Sequence, residues 1–163
     1  MANAHVLIDR QTLAINTNTV TFSSIPGTYR DLRLVISGTM SSSSSPSIRF
    51  NGDAGANYSY VSMYGFTSGY ASSNTPSATQ GPCGWIPTSP TGQFTLTIDI
   101  MDYSATDKHK TFITRGSDTG TYVDSVCTRW INTAAITTIL VTGYLGGGTY
   151  AAGTTMSLYG VLA

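Results

Sequence analysis

Large apolar side chains occupy every second position of Phe94-Thr95-Leu96-Thr97-Ile98-Asp99-Ile100, with Thr or Asp between them. A backbone of period two sends these two sets to opposite sides, so the segment predicts a strand with one dry face and one wet face. The same alternation sets Leu32, Leu34 and Ile36 around Arg33, Val20 and Phe22 around Thr21, and Ile48 and Phe50 around Arg49. Further strands are expected over 110–115, 121–131, 136–144 and 154–161, making about eight to ten in all. Turn residues separate them: Ile25-Pro26-Gly27, Asn51-Gly52-Asp53, Gly116-Ser117-Asp118 and Gly146-Gly147-Gly148 supply Gly, Asn or Asp where the chain must reverse. No stretch has the pattern of a long amphipathic helix. The expected fold is all-β: an antiparallel two-sheet β-sandwich of jelly-roll type, with a Greek-key sandwich of another topology as the alternative.

Residues 1–18 show little alternation beyond Val6 and Ile8 and are expected as an N-terminal arm or edge strand; 19–163 form a single jelly-roll domain. Five serines, 41–45, running into Pro46 suggest a flexible connector. The Ser, Thr, Gly and Pro-rich stretch 67–93 is expected as a long surface loop carrying Tyr70, Cys83, Trp85 and Ile86, with room for a short strand around Trp85. Unstructured loops of this length tend to serve function.

Tyr58, Tyr60, Tyr64 and Phe66 also alternate, and so share one face of a strand whose other face holds Val61 and Met63. A strand apolar on both sides is either covered twice or turned toward a partner. Tyrosine-lined faces suit protein interfaces and sugar stacking alike, so core, interface and carbohydrate readings all remain open.

Composition narrows the chemistry. Only 10% of residues are charged, the eight acidic residues are all Asp, and the formal net charge is +0. With no basic excess, neither nucleic acid nor a membrane surface is an expected partner. The start, Met1-Ala2-Asn3-Ala4-His5, lacks the features of a signal peptide, and folding in cytoplasm is expected. Cys83 and Cys127 stand 44 positions apart without clustered His, which favours two separate thiols over a metal site. His109, within Asp107-Lys108-His109-Lys110, reads as part of a solvated turn. Asp99 and Asp102 are a weak match to a glycosidase pair. Asn51-Gly52-Asp53 with Asn57 reads as a tight hairpin turn in preference to a calcium loop. No catalytic residue, cofactor or metal is expected, and the chain is read as a non-enzyme.

The chain resembles jelly-roll structural proteins of tailed bacteriophages, variously decoration or tail-associated. The likeness lies in 20–29 (VTFSSIPGTY) with Asp31-Leu32, Phe50-Asn51-Gly52-Asp53 with Asn57-Tyr58, and Tyr103-Ser104-Ala105-Thr106 leading to Lys110-Thr111. It continues in Trp130 before Ala135-Ile136-Thr137, and in Gly153 with Ser157-Leu158-Tyr159-Gly160. The resemblance implies a virion protein, a homotrimer, seated on the major capsid protein or other virion proteins, with no catalytic residues. The first expectation is a capsid decoration, or cement, protein whose contacts are the N-terminal arm, the Trp85 loop and the Tyr58 to Phe66 face. The alternative is a tail or fibre domain binding host carbohydrate, with Tyr70, Trp85 or Tyr150 stacking on sugar rings. A third, a hydrolase working through Asp99, has the least support.

Overall fold

The computed structural model describes residues 4–41, 44–84, 92–120, 122–144 and 147–162. Among these the chain forms β1 (His5–Thr12), β2 (Thr19–Phe22), β3 (Asp31–Thr39), β4 (Pro46–Phe50), β5 (Tyr58–Phe66) and β6 (Gly69–Ala78). They are followed by β7 (Gly81–Pro82), β8 (Gln93–Met101), β9 (Lys110–Asp118), β10 (Val123–Trp130), β11 (Ile139–Gly143) and β12 (Thr155–Val161). Every pairing is antiparallel, in a large sheet ordered β1-β12-β3-β8-β9-β10-β5-β6 and a small one ordered β2-β11-β4-β7. If β1, β2, β3, β4, β7, β8, β11 and β12 are counted one to eight, the two orders become 1-8-3-6 and 2-7-4-5. That is a jelly roll, two Greek keys laid face to face. The remaining pairs, β5–β6 and β9–β10, are insertions that lengthen the large sheet alone.

The alternating strands bury the residues their pattern selects. Leu32, Leu34 and Ile36 of β3, Phe94, Leu96, Ile98 and Ile100 of β8, and Met156 and Leu158 of β12 are buried in one cluster with Val20, Phe22, Ile48, Phe50, Ile139 and Val141 of the small sheet. An aromatic block closes one end: Phe50 meets Phe112 and Trp130 edge-on with ring centroids 5.4 and 5.5 Å apart, and Tyr58 stacks beside Trp130. Such edge contacts add to area burial by matching ring edges to ring faces.

Three expectations are corrected. Twelve strands replace eight to ten, chiefly because 67–93 is not one long loop: it contains β6 and β7. β6 follows β5 through the two-residue turn Thr67-Ser68 and pairs with it from Phe66↔Gly69 onward. As a sheet edge with much of its side-chain surface in water, it needs no apolar alternation, so its Ser and Thr look like loop residues. Next, Gly116-Ser117-Asp118 lies within β9, and the reversal comes after it, where the Asp118 carboxylate accepts the N–H groups of Gly120 and Tyr122. Finally, Asn51 and Gly52 do adopt positive φ, 51° and 71°, closed by Asp53 N–H donating to Phe50 O at 2.9 Å. However, this turn carries the chain from β4 in the small sheet to β5 in the large one, so it is not a hairpin.

Residues 4–12 begin with the edge strand β1, paired to β12. Ser44 Oγ donates to Gly147 O, and Tyr144 N donates to Ser45 O.

Candidate functional site

The outer face of the inserted strands carries the most exposed apolar side chains of the large sheet. Val61 and Met63 of β5 are 58% and 64% exposed, Val123 of β10 is 61%, and Tyr70 of β6 is 91%. Strand register draws them together: Val61 lies between Asn74 and Cys127, Met63 between Ser72 and Ser125, and Gly65 between Tyr70 and Val123. Because Gly65 has no side chain, a notch opens between Tyr70 and Val123. It forms a groove of about 680 Å³ walled by Met63, Ser72 and Ser125. A Cβ at Gly65 would meet only Val123 Cγ1, at 3.5 Å.

Charge is distributed unevenly over this sheet. On the outer side of β5, β6 and β10 the only ionic side chain among the described residues is Arg129. The adjoining half is ionic: Asp99 Oδ1 accepts from Arg33 Nε and Asp99 Oδ2 from Arg115, each at 2.6 Å, while Arg10 donates to Ser157 and Tyr159. Burial alone would raise the Asp99 pKa, but the two guanidinium groups outweigh it and hold the carboxyl below its usual range. A carboxylate so held keeps its charge and is poorly suited to lend a proton as a general acid. Asp102 turns to Lys108 instead, at 3.2 Å.

The aromatic residues singled out above divide between settings. Tyr58 and Tyr60 are core residues on the inner face; the Tyr58 hydroxyl accepts from Phe50 N at 2.9 Å, and burial pushes its pKa up. Tyr64 and Phe66 are half-buried on that same inner face, where Phe66 also meets Tyr122. Tyr70 stands in water on the opposite side. Trp85 and Ile86 lie outside the described residues. Tyr150 is fully buried, with its hydroxyl donating to Thr142 O, and so cannot stack on an external sugar.

Other candidates have structural settings. Asp53 accepts from Trp130 Nε1 at 2.7 Å, from Asn57 Nδ2 and from Gly55 N, which locks the β4–β5 connection onto the aromatic block. Asn51 binds Ala135 O, Thr137 N and Thr138 N through its side chain. The two thiols are free, Cys83 buried and Cys127 exposed beside Val61. His5 and His109 are exposed. The residues of the outer band were legible in part, since Val61 and Met63 alternate with the tyrosines; Val123 and the Gly65 notch depend on which strands become neighbours.

No protein-family model and no curated relative matches the chain. Among solved structures it is similar to the PL-14 alginate lyase of Aplysia kurodai, at 7% identity over 85% of this chain and 72% of that one, with a TM-score of 0.34. The alginate lyase Aly36B gives 11% identity over 93% and 78%, with a TM-score of 0.32. A protein of unknown function from Shewanella oneidensis gives 9% over 99% and 80%, with a TM-score of 0.23. Likenesses this low carry no weight for function.

Proposed function

We propose that this chain is a bacteriophage virion structural protein, a capsid decoration or cement protein that binds other virion proteins without catalysing a reaction. The observation that carries the binding reading is the exposed apolar band of Val61, Met63, Tyr70 and Val123, which strand register gathers around the Gly65 notch on one face of the large sheet. An apolar groove flanked by Ser and Asn has the make-up of a contact centre with a polar rim. The virion setting rests on the resemblance of the ordered landmarks from Val20 to Gly160. The threefold order that the resemblance implies is not part of this proposal, since no feature of the described residues selects three copies.

The test is co-sedimentation of the purified protein with phage heads stripped of it. The parent is expected to pellet with heads, and a Val61→Asp/Met63→Asp variant, altered only at exposed positions, to remain in the supernatant while keeping its circular dichroism. Equal binding by both would remove the band from the account, and failure of the parent to bind heads would remove the decoration role.

Tyr70 supports a second reading. A ring 91% exposed beside Ser72 and Asn74 is also what a tail or fibre domain would present to a host sugar. Glycan-array binding that is lost in Tyr70→Ala, without any binding to heads, would favour it.

A further inference from the structure

The two sheets have four edges, and three are blunted. β1 carries Asp9 and Arg10 and a register shift between Leu7 and Asp9. β2 has 4 residues and β7 has 2. β6 is different: its ladder from Gly69 to Thr75 has no register shift and no Pro, and no charged residue occurs anywhere in 67–93. Long edge strands without charge are templates for pairing, because half of their backbone donors and acceptors face outward. With a two-residue turn closing Phe66↔Gly69, alternation of the ladder gives Gly69, Ala71 and Ser73 to β5 and turns the N–H and C=O of Tyr70, Ser72 and Asn74 to the open edge.

We propose that β6 is a homotypic docking edge, at which two copies of this chain pair antiparallel across a twofold axis centred on Ser72. The outward groups match under that operation. Ser72 faces the partner's Ser72 as a hydrogen-bonded pair and Tyr70 faces the partner's Asn74, giving about six inter-chain bonds over the three outward residues of each strand. The twofold axis sets Ser72 against its own copy, so a charge there would meet its like; an uncharged edge meets no such repulsion. Pro76, which has no N–H, and the register shift between Tyr58 and Tyr60 end the pairable stretch at Thr75. Tyr70, otherwise bare to water, gains the partner's Asn74 and, one strand further along the same row, the partner's Val61. This pairing goes beyond the head-binding reading and does not depend on it.

The experiment is molar mass by light scattering of the purified full chain over rising concentration. The parent is expected to reach twice the chain mass. Ser72→Lys/Asn74→Lys, which sets lysines against each other at the twofold, is expected to remain at one chain mass at the same concentration with an unchanged melting curve. Gly65→Ala, off the edge, is expected to pair as the parent does. A parent that stays monomeric, an assembly of three copies, or a pair that survives the double lysine overturns the proposal. Should the lysine variant fail to fold, hydrogen exchange of the parent decides: the Tyr70, Ser72 and Asn74 amides slow with concentration if β6 pairs, and concentration-independent exchange contradicts it.

Discussion

Asp53 shows how one side chain can secure a connection between sheets. Its carboxylate takes the indole N–H of Trp130, a residue 1% exposed, together with N–H groups of Asn57 and Gly55. Asp53→Ala would leave that indole without its acceptor inside the aromatic block, at a cost of about 2–3 kcal/mol; urea unfolding should show the midpoint fall accordingly. A loss under about 0.5 kcal/mol would mean that the loop is held otherwise. Asp53 and Asp99 also set the acid response. Burial would raise both, but Trp130, Asn57 and Gly55 around Asp53, and Arg33 and Arg115 around Asp99, hold their folded-state pKa values below the ordinary 3.8. The unfolded chain therefore takes up these protons first. The stability that the two carboxylates contribute is complete above the ordinary carboxyl range and is lost as pH falls through their folded values. Acid unfolding followed by tryptophan fluorescence should be less steep in Asp99→Asn than in the parent. The sequence pointed to Asn51-Gly52 as a turn because Asn-Gly favours positive φ, but the partners of Asp53 depend on Trp130, 77 residues away.

At the scale of the element, hydrophobic alternation carried most of the information. β3, β8 and β12 could be read from it because each sets one face against a second sheet. β6 and β7 could not, since an edge strand with much of its side-chain surface in water and a strand of two residues have no periodicity to display. Two glycines distinguish these elements. In β7, a Cβ at Gly81 would stand 2.3 Å from Phe112 Cζ, inside the core, whereas one at Gly65 in β5 would make an ordinary contact. Gly81→Ala should cost on the order of 1–3 kcal/mol by overpacking, and Gly65→Ala should stay within about 0.5 kcal/mol. Equal losses in denaturant titration would show that β7 is not clamped against β9 and β10. Gly65→Ala fills the notch without disturbing the fold, so a weakened head association in that variant would come from the surface itself.

For the whole molecule, the jelly-roll order was legible as a class before any pairing was known, because short alternating strands with turns between them have few compact arrangements. What could not be read was the extension of one sheet by two inserted hairpins. That extension gives the molecule an outer face that is ionic around Arg33, Asp99 and Arg115 and apolar around Met63 and Val123. Of the readings left open for the Tyr58 to Phe66 strand, Tyr58 and Tyr60 take the core, while Val61 and Met63 of the same strand and Tyr70 of its neighbour are exposed. Whether a decoration protein is seated through this band is read from a symmetry-resolved electron-microscopy reconstruction of intact particles that carry the chain. Jelly-roll density is expected on the outside of the head shell, with the outer face of β5, β6 and β10 against its neighbours. Density confined to the tail, or a head-bound domain with Val61, Met63 and Val123 facing solvent, would contradict it.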